Sequence, residues 1–259
     1  MQGWPEFKAA ILKRTGIDLN AYKERQMLRR ISTLMSMRGV DDFASYLRLL
    51  DNDPDCLREF LERITINVSE FFRNPERFKE LTERYFPLLL AGGRRQLKVW
   101  SAGCAAGEEA YSLAILLLEN VPGQLLPVLA TDLDKEALKE AEAGRYPSAR
   151  LKNVPPELKQ RYFIVDGDFY TVRPTVKALV KFQRHDLLRD PYDTDFDLIL
   201  CRNVVIYFTE ETKETLYTRF SRALRPGGIL FTGATEQIFQ PQRYGFKSIA
   251  PFFYQRLEE

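Results

Sequence analysis

At Gly92-Gly93 the hydrophobic pattern of the chain changes period, and few folds accommodate both halves. Before that pair, apolar residues recur at helical spacing. Tyr22, Met27, Leu28, Ile31, Leu34 and Met35 mark one helix, and further helical stretches run over 42–50, 55–64 and 75–90. Asp42 and Asp55 stand where N-caps belong, and Gly16 and Gly39 punctuate helix ends. Beyond the pair, strands expected over 97–100, 126–130, 196–200 and 229–232 alternate with helices over 109–119, 135–143 and 210–224. Such alternation predicts a mostly parallel sheet covered by helices, with ligands at the carboxyl ends of its strands. The stretch 146–181 interrupts the rhythm with β-prone pieces at 162–165, 169–172 and 179–182 around the turn Asp166-Gly167, which predicts a small β insertion. Residues 246–255 read as a closing hairpin that adds antiparallel strands.

Composition prunes the chemistry. With 259 residues, 45% of them hydrophobic and 29% charged, the chain has room for one large globular domain and a small one. Its longest apolar runs, 86–91 and 114–118, fall far short of the roughly 18 residues of a membrane helix. Residues 1–16 lack the apolar core of a secretory signal, so a cytoplasmic location without membrane insertion is expected. Cys56, Cys104 and Cys201 form no CxxC pair and His185 is the single histidine, which argues against a disulfide framework or a metal site. A net charge of +2 argues against nucleic acid. Locally, though, eight cations face two acids between Lys8 and Arg38. A solvated helix face is the usual meaning of such a run; this surplus points to an acidic partner surface.

Three segments at predicted strand ends carry chemistry. In Val99-Trp-Ser-Ala-Gly-Cys-Ala-Ala-Gly-Glu-Glu109 a strand turns into a helix through Gly103 and Gly107, without the middle glycine that brings main chain to a pyrophosphate. Glu108 and Glu109 repel phosphate and attract a cation at that helix entrance, so S-adenosyl-L-methionine fits and a nicotinamide dinucleotide does not. In Ala-Thr-Asp-Leu-Asp134, Asp132 either binds ribose hydroxyls or caps the next helix; the upstream glycine loop favours the ribose for Asp132 and the cap for Asp134. The buried-strand pattern from Phe196 ends in polar Arg202-Asn203, where a parallel sheet presents its site; the lesser alternative is that Asn203 forms a turn and Tyr207 fills the core. Asn67-Val-Ser-Glu-Phe-Phe-Arg73, taken alone, is a capping sequence before a helix at Pro75.

Together with Gly-Ala-Thr-Glu236, these ordered motifs resemble the bacterial chemotaxis receptor glutamate methyltransferases of the CheR family over nearly the whole chain. The resemblance implies a Rossmann-like α/β methyltransferase domain over 95–259 with a β-subdomain insertion at about 146–182, preceded by a small all-α receptor-docking domain over 1–74 and a linker helix over 75–94. It implies transfer of a methyl group from S-adenosyl-L-methionine to receptor glutamates, leaving S-adenosyl-L-homocysteine. Asn67, Ser69 and Arg73 match cofactor contacts from the linker; Gly103, Glu109 and Asp132 match the main-domain contacts; Asn203, Val204, Asp186 and Leu187 match those on the adenine side. Arg73 and Tyr207 match the pair lining the methyl-transfer site, and Lys23, Arg25, Arg29, Arg30 and Arg38 match the face for the acidic methylation region of a receptor. Ser69 stands where the family has threonine, Ala105-Ala106 where it has Ser-Thr, and Asp186 where it has asparagine. A monomer is expected. A methyltransferase of another substrate, or a cofactor-binding signalling module without transfer, would share the cofactor motifs.

Overall fold

The computed structural model describes residues 3–65, 69–91 and 93–258. Its backbone contacts divide the chain into two units, Met1–Ile66 with Val205–Thr215, and Asn67–Val204 with Leu216–Glu259.

The smaller unit is built on α1 (Trp4–Thr15), α2 (Glu24–Met37), α3 (Phe43–Asn52) and α4 (Pro54–Thr65). Phe7, Phe43, Tyr46 and Phe60 interlock in its core, with ring centroids 5.0 to 6.2 Å apart. Asp42 caps α3 by accepting from the Ser45 N–H at 2.8 Å. At α4 the expected cap shifts: Asp53, not Asp55, accepts from the N–H groups of Asp55 and Cys56, at 2.9 and 3.1 Å. Pro54 opens the helix without losing a needed donor, which makes the residue before it the cap. Residues 205–215 join this unit through an antiparallel bridge between Tyr22 and Phe208. The Lys23 N–H donates to the Tyr207 carbonyl and the Thr209 N–H to the Ala21 carbonyl, both at 2.9 Å.

In the larger unit, α5 (Pro75–Glu80), a π turn (Leu81–Tyr85) and α6 (Phe86–Leu90) form the stretch expected over 75–90. There follow β1 (Val99–Ala102), α7 (Glu108–Asn120), β2 (Val128–Asp132), α8 (Lys135–Ala143), β3 (Arg145–Pro147), α9 (Pro156–Tyr162), β4 (Phe163–Asp166), β5 (Phe169–Val172), α10 (Pro174–Lys177), β6 (Val180–Arg184) and β7 (Phe196–Cys201). Then α11 (Glu210–Ala223) begins in the smaller unit and ends in the larger, and β8 (Leu224–Thr232), β9 (Phe246–Ala250) and β10 (Phe253–Arg256) close the chain. The main sheet has the order β6-β2-β1-β7-β8-β10-β9. It is parallel from β6 through β8 and antiparallel at β10 and β9, the expected Rossmann-like arrangement with a hairpin. Every residue of β1 and β7 is buried, Ser101 and Asp197 included, as in strands of a sheet covered on both faces. The strand order reverses between β1 and β7, so the crevice outside their carboxyl ends is the place for a ligand.

The insertion is a three-stranded antiparallel sheet in the order β3-β5-β4. One piece expected in it lies elsewhere. Val180–Arg184 is the edge of the main sheet, parallel to β2 with Val180 opposite Val128. An edge strand has a neighbour on one side only, and β6 is accordingly half-exposed to exposed throughout, with a composition that does not set it apart from the strands of the insertion. Among the described residues no helix is long and apolar enough to cross a membrane.

Candidate active site

The groups at the carboxyl ends of the strands lie within the larger unit. The loop after β1 turns four of its amides inward. The N–H groups of Gly103 and Cys104 donate to the Thr131 carbonyl at 2.8 and 2.9 Å, and that of Gly107 to the Cys104 carbonyl at 2.9 Å. The Ala105 N–H donates to Asp132 Oδ2 at 2.8 Å. A phosphate cradle needs such amides pointing outward, so this loop is not one. Gly103 has φ +86°, and a Cβ there would run into the Val204 side chain, so the loops after β1 and β7 meet at a spot open only to glycine.

Asp132, half-buried at the end of β2, also accepts from the Asp134 N–H through Oδ1, at 3.0 Å. Each carboxylate oxygen has a second lone pair, so both retain capacity for a donor. Burial raises the Asp132 pKa above the ordinary value, against the backbone N–H groups that favour its charged form. Asp134 is the cap of α8, accepting from Glu136 and Ala137 at 2.8 and 3.1 Å.

The acidic pair opening α7 splits, because successive helical residues point about 100° apart. Glu108 is fully buried and paired with Arg150 of the insertion. Burial pushes its carboxyl up, while Arg150 and the Ser69 hydroxyl favour the charged form. The expectation that both glutamates face a cationic ligand therefore holds for neither as a free charge. Glu108 is turned inward, and Glu109 accepts from Ser101 Oγ at 2.8 Å and from Arg202 at 3.2 Å.

The linker is pinned along its described length. The Ser69 carbonyl accepts from the Arg150 guanidinium at 3.2 Å, and the Phe71 N–H donates to the Arg150 carbonyl at 3.2 Å. The Phe72 N–H donates to Ser112 Oγ at 2.9 Å. Phe71 packs edge-on against Tyr146 and Phe163 at 5.0 and 5.2 Å. Phe72 and Asn74, on either side of Arg73, hold left-handed φ values of +50° and +63°, a strained backbone of the kind that gathers at functional sites. These contacts group the segment with the larger unit, although the helical domain was expected to run to residue 74. Asn67 lies outside the described residues.

At the end of β7, Arg202 is buried, and burial pulls its guanidinium below the ordinary arginine value while Glu109 favours its charge. Asn203 follows at φ +61°, its N–H held by Glu236 Oε2 at 2.6 Å. The same oxygen takes the Gly233 N–H at 2.7 Å. Glu236 was legible only as part of a motif; the structure makes it the anchor of the Asn203 turn. Asp186 is engaged in a turn of its own, accepting from the Leu188 N–H at 2.8 Å, and the Leu187 carbonyl takes the Tyr192 hydroxyl at 2.7 Å and Arg219 at 2.6 Å. Gly103, Glu109, Asp132, Asn203 and Val204 thus gather at the carboxyl ends of β1, β2 and β7.

Tyr207 belongs to the smaller unit, where the Arg30 guanidinium lies 4.8 Å from its ring centroid. Burial lowers the Arg30 pKa and Tyr207 partly offsets it. Of the basic residues on and beside α2, Arg25 and Arg29 are exposed and Lys23 is half-buried. Arg38 pairs with Glu59 at 2.7 Å and lies 3.9 Å from Asp53.

Residues 2–65 match the CheR methyltransferase all-alpha domain, and residues 67–251 match the CheR methyltransferase SAM binding domain. The chain belongs to the CheR methyltransferase family. A chemotaxis protein methyltransferase of Listeria innocua is 43% identical over 248 residues, covering 96% of this chain and 95% of that one. Its counterpart in Listeria monocytogenes is 42% identical over the same shares. A chemotaxis protein methyltransferase of Pseudomonas aeruginosa is 34% identical over 259 residues, covering 95% and 94%. This CheR-family enzyme is therefore an S-adenosylmethionine-dependent methyltransferase. Its strand ends fit that cofactor: four loop amides are spent inside the protein, which suits a molecule without phosphate, and the Asp132 and Glu109 carboxylates keep acceptor capacity for further donors.

Proposed function

We propose that the enzyme methylates glutamate side chains of methyl-accepting chemotaxis receptors, forming methyl esters and S-adenosyl-L-homocysteine. The observation that carries this reading is end-to-end similarity to relatives named chemotaxis protein methyltransferase, 43% identical in the Listeria innocua case. The bound cofactor supplies a methyl group on a sulfonium, open to displacement by a carboxylate. A glutamate carboxylate has an ordinary pKa of about 4.3 and is already ionised at neutral pH, so the chain needs no general base. That agrees with its single histidine, His185, being buried beside Trp100 and Tyr192 and held below its ordinary pKa by that burial.

What the protein must contribute is alignment and exclusion of water, worth up to about 7 to 11 kcal/mol in well-oriented reactions. Glu109 takes the role of ammonium acceptor, Asp132 that of ribose acceptor, and Gly103 the close backbone approach. Asn203 and Val204, with Asp186 and Leu187, form the adenine side, and Asn67 and Ser69 contribute from the linker. Arg73 positions the reacting groups, and Tyr207 is assigned to the methyl-transfer site by its match to the family. Lys23, Arg25, Arg29, Arg30 and Arg38 are assigned to docking on an acidic receptor surface, with the enzyme acting as a cytoplasmic monomer.

The test is transfer of labelled methyl to cytoplasmic receptor fragments. Base-labile label on the receptor is the expected result, nearly abolished in Arg73→Ala and slowed in Tyr207→Phe with little change in cofactor affinity. A protein that binds S-adenosyl-L-homocysteine yet leaves no base-labile label would have another substrate or none, and full turnover in Arg73→Ala would remove Arg73 from the site.

A further inference from the structure

Arg202 holds a position that stability alone does not call for. Its side chain is 2% exposed and lies against the rings of Phe78 and Phe231, 5.1 and 4.7 Å from their centroids. A buried ion pair such as Arg202–Glu109 is often replaceable as a whole by apolar residues without loss of stability. Its guanidinium reaches two places far apart in sequence. Nη1 donates to Glu109 Oε2 at 3.2 Å, while Nη2 donates to the Arg73 carbonyl at 2.7 Å and to Asn74 Oδ1 at 3.0 Å. Asn74 sits at the N-cap position of α5, yet its side chain makes no cap hydrogen bond; its amide oxygen is turned to Arg202 instead. The guanidinium is planar and rigid, so a shift of one arm moves the other.

We propose that Arg202 is a positioning residue that couples the Glu109 carboxylate to the placement of the linker peptide Arg73–Asn74. This rests on the reading of Glu109 as a cofactor ligand and of Arg73 as part of the active site. The Glu109 carboxylate is shared between Ser101 and Arg202. A cationic group that engages Glu109 redistributes those bonds, and Arg202 transmits the change to the Arg73 carbonyl and the Asn74 side-chain amide, and so to the peptide that carries the Arg73 side chain. Cofactor binding thereby sets the linker in its working conformation.

The experiment is a double-mutant cycle on binding of S-adenosyl-L-homocysteine, measured by calorimetry. Glu109→Gln removes the charge at one end. Asn74→Gly removes the amide at the other while suiting the positive φ, which favours retention of the fold. Asn74→Gly should weaken binding about threefold, and the two changes together should deviate from multiplicativity by about fivefold, as coupled residues do. In an Arg202→Lys background the deviation should fall below about twofold, because one ammonium does not reproduce the fork. Asn74→Gly should also raise the KM for the cofactor and lower kcat while leaving the KM for receptor unchanged. Multiplicative effects in the wild-type background would overturn the proposal, and so would a deviation that survives Arg202→Lys. Should Arg202→Lys not fold, the wild-type cycle and the kinetic split decide. A wild-type protein that binds no S-adenosyl-L-homocysteine would bring down the cofactor reading itself, whereas binding with no coupling would bring down this inference alone.

Discussion

Glu108 and Glu109 are chain neighbours with the same side chain, and each is held by an arginine that also holds a linker carbonyl. Glu108 pairs with Arg150, which reaches the Ser69 carbonyl; Glu109 pairs with Arg202, which reaches the Arg73 carbonyl. The two clasps differ in burial and in company. Glu108 is wholly buried, with a partner from the β insertion that is itself about a third exposed, while Glu109 keeps some exposure and a second donor in Ser101. Similar parts thus serve two ends: the first clasp fastens the insertion and linker to α7, and the second stands at the mouth of the sheet where a ligand is expected. The lesson is that an acidic pair at a helix entrance is not one electrostatic feature, since the helix turns its members to different surroundings.

The largest effect expected from breaking this comparison is on stability. Arg150→Met leaves Glu108 buried without its cation and should lower the unfolding free energy in urea by about 2 to 4 kcal/mol, somewhat below the loss for a fully buried pair. A loss under about 0.5 kcal/mol would mean that the clasp does no more than a surface ion pair. Glu109→Gln should weaken S-adenosyl-L-homocysteine by about 1 to 3 kcal/mol in calorimetry and cost less in urea than Arg150→Met, because glutamine keeps an amide oxygen to accept from Ser101 and the buried Arg202. Equal effects of the two changes on stability would erase the distinction. Ser101→Ala, which loosens Glu109 from one side, should cost about 1 kcal/mol of the same affinity.

The smallest effect concerns pH. Because burial raises the Glu108 pKa in the folded state above its ordinary value of 4.5, its contribution to stability is fully present below that value and is lost as pH rises through the raised one. The urea midpoint of the wild type relative to Glu108→Gln should therefore rise as pH is lowered from neutral toward 4.5. Parallel pH curves for the two proteins would show that the carboxyl titrates at its ordinary value.

Much of this arrangement was legible in the residues. The buried runs of β1 and β7 and the helix over 135–143 follow directly from hydrophobic period, and the polar end of β7 marks the crevice. What escaped depends on partners distant in sequence. Nothing local to Glu108 announces Arg150, 42 positions away, and nothing local to Arg202 says that it points inward to a linker 129 positions earlier. From sequence the edge strand β6 reads as part of the insertion because short strands with one open side have similar compositions wherever they pair. Glu236 was visible as the end of a motif, but its task, holding the left-handed Asn203, comes from a turn that only the folded chain brings next to β8.

The crossing of the chain from one unit to the other between Val204 and Val205, and back between Thr215 and Leu216, has a consequence for recombination between relatives. A chimaera that exchanges only the first 66 residues would face Tyr22 with a foreign Phe208 and break a ring contact of 4.9 Å made by co-inherited partners. Exchanging the helical unit as a heritable module takes three junctions instead of one, and the second of them falls immediately after the residues that close the end of β7.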